Sequence, residues 1–235
     1  RSDIERCAWE VGVEVAARHA DDVDRDARFP AEAAEAMRAA GLYAALIPTE
    51  FGGGGAPLAE VAGAVRALAH HCSAAALVLA MHQIEVWYLV RFGTTDGLRD
   101  VMRSVSSDGW LIANANSEVG LGGDVGRSFC AVEPTAEGTG FHLEKKTLAI
   151  SYGADCDGLV LNARRDPDAP EDLRAAAGRM LVKAETAPEV RVRVGDIVSA
   201  VRETETQKRL RVAIFPELDP TGEELEELEE VARRR

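Results

Sequence analysis

Residues 117 to 126 read SEVGLGGDVG, with four glycines, two carboxylates and one hydroxyl in ten positions, directly after the run WLIANAN. Glycine at that density lets a backbone lie close to something flat or charged. The flanking hydroxyl and carboxylates can donate, accept or carry a proton. Two phosphate-binding chemistries are excluded by the surroundings. A P-loop needs GK[ST] after its glycines, and none follows. A dinucleotide turn needs GxGxxG between a strand and a helix, with an acidic residue further on. GLGGDVG does not fit that pattern, and the RSFCAVEP that follows reads as strand. Taken alone, the loop reads as a connection.

The other candidates carry less chemistry. Gly52 to Gly55 form a second glycine cluster, which either lets a ligand approach the backbone or turns the chain between two helices. His70, His71, His82 and His142 show no metal-ligand spacing, and no serine has a nucleophile-elbow context, so no triad is assigned. Cys7, Cys72, Cys130 and Cys156 are scattered, with no CxxC pair; they read as reduced thiols, and no metal site is expected.

These loops need elements to hold them. Residues 1–103 read as helical. Ile4, Cys7, Ala8, Val11 and Val15 recur at helical spacing, Pro30 suits a first turn, and Gly41 ends a helix. From Ala56 the chain is helical again and apolar nearly all round to Gly93, which predicts a buried helix. From Ser104 the segments shorten and become β-rich, as in WLIANANSEV, FCAVEP, GFHLEKKTLAISYG and DGLVLNARR, which predicts a meandering β region over 104–171. Residues 172–235 contain the strand-like RMLVKAE, EVRVRVG and RLRVAIFP, then a charged terminal helix that Thr221 can cap. Helices first and strands second imply an α+β fold rather than alternating βαβ.

Composition bounds the partners. The 235 residues are 46% hydrophobic and 29% charged, with a formal net charge of −13. That acidity argues against nucleic acid and anionic membrane as partners. The apolar stretch Ala74 to Ala80 is shorter than the ~20 residues a membrane span needs, and no leader sequence is evident, so a cytoplasmic location is expected. The chain begins at Arg1 rather than Met, as a processed or trimmed product would.

Taken in order, the segments resemble the acyl-CoA dehydrogenase family. GLYAALIPTEFGGGGAPLAEVAGAVRALAHHCSAAALVLAMH is similar to the family's N-terminal helical domain, where GL…PEEYGG precedes a long buried helix. ANANSEVGLGGDVGRSFCAVEP resembles the middle-domain signature TEPGAGSD and the strand after it. GFHLEKKTLAISYGADCDGLVLNARR resembles GxKxWITNG…ADxxxVxAR. The resemblance covers residues 1–165. It implies a helical domain followed by a β-barrel-like middle domain that lies against the flavin of FAD and the thioester end of acyl-CoA.

On that resemblance Ser117 takes the place of a threonine that hydrogen-bonds the flavin, and Asn116 precedes it with a backbone group toward the ring. Ser151 takes the place of the second hydroxyl, and Ala149 stands where an aromatic residue often stacks. Gly123 and Asp124 fall on the substrate side, with Gly123 replacing a serine and Asp124 retained. Val119 replaces the usual proline. Residues from 172 do not resemble the family's C-terminal four-helix bundle. That bundle normally supplies the catalytic base, much of the FAD site and the tetramer contacts, so the architecture is expected to be truncated, with a divergent tail. No base is assigned; Glu118 belongs to the signature loop.

The implied activity is oxidation of an acyl-CoA thioester to the 2,3-enoyl-CoA with FAD as hydride acceptor, by a homo-oligomer or with a partner chain that supplies the bundle. The electron acceptor stays open. The alternatives are a non-catalytic acyl-CoA/FAD-binding or partner-binding remnant of the fold, and a flavin-dependent monooxygenase relative.

Overall fold

Ser2 starts the helical part: its hydroxyl accepts from the Glu5 amide at 3.4 Å, and Asp3 and Glu5 place negative charge in the first turn of helix α1 (Asp3–Val11). The protein is described from a computed structural model covering residues 2–93, 95–122, 124, 126–134, 141–147, 149–164, 167–168, 179–183, 190–194 and 211–214. A π-helical turn, Gly12–Ala16, joins α1 to α2 (Ala17–Arg25). Helix α3 (Ala31–Ala39) begins after Pro30 and stops at Gly41, which takes φ of 69°. Helices α4 (Leu58–Ala69), α5 (Ser73–Phe92) and α6 (Asp96–Ser107) complete the layer. Met37, Ile47, Leu68, Leu79, Leu89 and Leu98 are fully enclosed between these helices.

The apolar run from Ala56 is therefore two helices, broken at residues 70–72, and it is not buried all round. Leu77, Ile84, Trp87 and Val90 lie exposed along one side of α5, while His82, Gln83 and Glu85 are buried on the other. At 20 residues, with a mean hydropathy of 1.4 in its most apolar window, α5 is long and apolar enough to cross a membrane by length and composition. In this fold it packs on α4, α6 and the first strand, with half of that window buried.

The Gly52–Gly55 cluster is a chain turn, not an open cradle. Its backbone is zipped onto the preceding segment: Gly53 N–H donates to Pro48 O at 3.2 Å, Gly54 N–H to Ala44 O at 3.0 Å and Gly55 N–H to Ile47 O at 2.8 Å. A Cβ on Gly53 would overlap the Ile47 carbonyl, so the close approach that glycine permits is to the chain itself.

The strands are β1 (Ile112–Ala115), β2 (Glu133–Pro134), β3 (Phe141–Thr147), β4 (Gly158–Asn162), β5 (Arg179–Lys183), β6 (Val190–Val194) and β7 (Arg211–Ile214). They do not meander. One sheet has the order β1-β4-β5-β7 and the other β2-β3-β6. Strand β1 runs parallel to β4, with Ile112 opposite Gly158 and Ala115 opposite Leu161. Strand β3 runs parallel to β6, and the other pairs are antiparallel. All of β4 is buried, and β1 offers the small or branched Ile112, Ala113 and Ala115 to the core. This double-sided apolar pattern suits strands covered on both faces. RSFCAVEP is strand only at Glu133–Pro134; before that, Ala131 makes an isolated bridge to Arg164. The terminal helix expected over 221–235 lies outside the described residues.

Candidate functional site

The Gly-rich loop is fixed by the strand behind it. Along β3 the side chains alternate, with Leu143, Lys145 and Thr147 buried and Glu144 and Lys146 exposed. The loop lies along that buried face. Val119 N–H donates to Lys146 O at 2.9 Å, Glu118 reaches Lys145, and Ser117 Oγ sits 2.7 Å from Thr147 Oγ1.

Glu118 and Lys145 form a buried ion pair, with Nζ 3.0 Å from Oε2 and side chains 5% and 0% exposed. Charges that far from water persist only when their hydrogen-bonding capacity is filled. The Glu118 carboxylate also accepts from Ser128 Oγ at 2.8 Å, Phe129 N–H at 3.2 Å and Cys130 N–H at 2.9 Å. The Lys145 ammonium spends its other two donors on Asn162, at 3.1 Å to the carbonyl and 2.9 Å to Oδ1. Glu118 is thus committed to shaping the loop. Burial pushes the neighbouring Cys130 thiol up to about 12, which removes it as a nucleophile.

Ser117 and Ala149 are brought together. Ser117 is exposed, and the Ala149 carbonyl accepts from Thr147 Oγ1 at 3.1 Å and lies 3.4 Å from Ser117 Oγ. Ser151 is exposed two residues on, in a turn that Tyr152 anchors. Tyr152 takes φ of 44°, a left-handed conformation costly for a bulky side chain, and is held there by its hydroxyl donating to Ile112 O at 3.1 Å. Asn116 donates its backbone N–H to Asn114 Oδ1 at 3.0 Å, and its own Oδ1 is buried with no hydrogen-bond partner among the described residues. Asn114 in turn donates to the buried Glu85 at 2.5 Å. Asp124 is exposed, and its carboxylate accepts from Gly126 N–H of its own turn at 3.0 Å. Gly123 lies outside the described residues.

Sequence reasoning missed Lys145 and Thr147. The signal was present: each shares the parity of Leu143 on a strand, so each faces inward with it. Sequence reasoning also passed over the tie that holds β1. His82 Nδ1 accepts from Ile112 N–H at 3.0 Å, and Nε2 donates to Tyr43 O at 3.0 Å. An N–H on one side and a carbonyl on the other require the neutral imidazole, and burial holds its pKa down at about 4.

Residues 8–107 match the model of the acyl-CoA dehydrogenase N-terminal domain. A probable acyl-CoA dehydrogenase of Mycobacterium leprae is 30% identical over 152 residues, covering 65% of this chain and 39% of the relative. The match therefore spans well under half of that relative's length. Butyryl-CoA dehydrogenase from Megasphaera elsdenii superposes with a TM-score of 0.64 at 19% identity, over 77% of this chain and 48% of that one. Dibenzothiophene monooxygenase from Paenibacillus sp. A11-2 gives 0.60 at 19% identity, over 78% and 42%. At such identities the two structures share a fold with this protein and nothing finer. Residues 8–107 thus match a domain of the acyl-CoA dehydrogenase family, and the relatives that extend beyond it agree with the helices-then-strands architecture.

Proposed function

We propose that the chain carries the flavin-facing part of an acyl-CoA dehydrogenase-type oxidoreductase, with FAD as cofactor and an acyl-CoA thioester as substrate. The observation that carries this reading is the rim of Ser117, Ala149 and Ser151. Two exposed hydroxyls flank a small residue there, and the loop is fixed from behind by a fully hydrogen-bonded ion pair. Such a rim fits the edge of a flavin, which presents ring nitrogens and carbonyl oxygens to neighbouring hydroxyls. When bound, FAD supplies a hydride acceptor for the β-carbon of the thioester while a base takes the α-proton.

The chain's own residues have separate tasks in this reading. Ser117 and Ser151 hydrogen-bond the flavin, and Asn116 supports the loop beside it. Ala149 leaves room where a larger side chain would cover the ring, and the family resemblance assigns Gly123 and Asp124 to the acyl-CoA side. Donors near a ring that gains electron density stabilise the reduced form. No described residue is assigned the base. The Glu118 carboxylate is taken up by Lys145, and Glu85 is buried under Asn114. The base is assigned to sequence outside the described residues or to a partner chain, and a homo-oligomer belongs to the same proposal.

Titration with FAD, followed by flavin absorbance and fluorescence, tests the reading. The purified chain is expected to bind FAD, and Ser117→Ala to weaken binding by about fivefold, the worth of one hydrogen bond near 1 kcal/mol. A chain that stays colourless in excess FAD defeats the proposal. Oxygen-dependent consumption of reduced flavin with hydroxylation of a substrate would move it to monooxygenase chemistry.

A further inference from the structure

Thr147 ends β3 fully buried, and its hydroxyl has two close oxygens: Ser117 Oγ at 2.7 Å and the Ala149 carbonyl at 3.1 Å. Ser117 Oγ is itself 3.4 Å from that carbonyl. Three oxygens share two protons here. The carbonyl can only accept, and each hydroxyl has one proton to give.

Among the arrangements this geometry allows, two differ in what Ser117 shows to the outside. In one, Thr147 donates to Ala149 O and Ser117 donates inward to Thr147, so Ser117 shows only lone pairs to the outside. In the other, Thr147 donates to Ser117, and the Ser117 proton points outward. The short hydroxyl–hydroxyl contact survives in both arrangements, and only its direction reverses. The backbone need not move, because Ser117, Glu118 and Val119 are each fastened to β3.

We propose that Thr147 is a positioning residue that sets the direction of the Ser117 hydroxyl, so that one exposed side chain can either donate to or accept from the bound group. The inference rests on the flavin reading above. A flavin ring nitrogen that accepts a hydrogen bond in the oxidised state carries hydrogen in the reduced state. Its neighbour must then change from donor to acceptor. The relay behind Ser117 supplies that reversal through proton positions alone, and cooperativity along the pair strengthens whichever direction is in use.

The test compares the unaltered chain with Thr147→Val, Thr147→Ser, Ser117→Ala and the double variant Ser117→Ala/Thr147→Val. The readouts are FAD affinity, the absorbance spectrum of bound flavin and its reduction potential. Thr147→Val is expected to weaken FAD binding about fivefold, one hydrogen bond's worth, and to shift the spectrum and the potential. Thr147→Ser restores all three. The double variant is expected to be no worse than Ser117→Ala alone, because Thr147 acts through Ser117. Thr147→Ala replaces the valine variant if valine does not fold.

A Thr147→Val chain that binds FAD with unaltered affinity, spectrum and potential overturns this inference while leaving the flavin reading intact. So do two single effects that simply add. An unaltered chain that binds no FAD overturns the flavin reading, and the role of Thr147 with it.

Discussion

Lys145 is the residue whose burial needs the most explanation, since an ammonium far from water survives only through its partners. Its three donors go to Glu118 and Asn162, and Glu118 is occupied in turn by Ser128 and two loop amides. Removing one charge leaves the other stranded. Glu118→Gln or Lys145→Met alone is therefore expected to cost about 3–5 kcal/mol of stability in urea unfolding. The double variant Glu118→Leu/Lys145→Met should cost far less than the sum, because no charge is left buried. Additive losses would show that the two side chains are not a coupled pair. Ser117 stands out in the sequence only through the family resemblance, since the glycine-rich loop taken alone reads as a connection. The pair behind it does not stand out, because its members are 27 positions apart and only the strand's alternation brings them together.

At the scale of elements, His82 joins three: α5, the turn containing Tyr43, and β1. Burial is the main cause of its lowered pKa. Arg38 also lowers it, while the two backbone bonds and Asp157 raise it. The unfolded chain binds this proton near pH 6.5, and the folded one only near 4. Folding is thus favoured by the neutral ring: its contribution is whole above about pH 6.5 and is lost as pH falls toward 4. The total is on the order of 3 kcal/mol. Chemical unfolding of the native chain and of His82→Gln at pH 7.5, 6.0 and 4.5 isolates the effect, and the native chain should lose more stability on acidification. Parallel loss in both chains would place the acid sensitivity elsewhere. Helix ends were legible because Pro30 and Gly41 act locally. Strand pairing was not, because β1 finds β4 across the whole of β2 and β3.

At the scale of the whole molecule, α5 presents Leu77, Ile84, Trp87 and Val90 to the outside while its other side is sealed by α4, α6 and β1. A continuous apolar strip of this kind favours association over exposure to water. Light scattering on the purified chain is expected to show self-association, and Leu77→Glu with Ile84→Lys to reduce it. A monodisperse monomer in the unaltered chain would count against that expectation. Composition alone made α5 look buried on every side, because periodicity cannot distinguish a face covered by its own domain from one left for a neighbour.

Strand β1 lies at the end of its sheet order, beyond β4. A sheet border normally presents a row of unused amides and carbonyls that can capture a stray strand and seed aggregates. At Ile112 both groups are already taken, the amide by His82 and the carbonyl by Tyr152. The two side chains that hold this strand in place therefore also blunt it: a foreign peptide laid along that border would find no ladder to extend at its first rung.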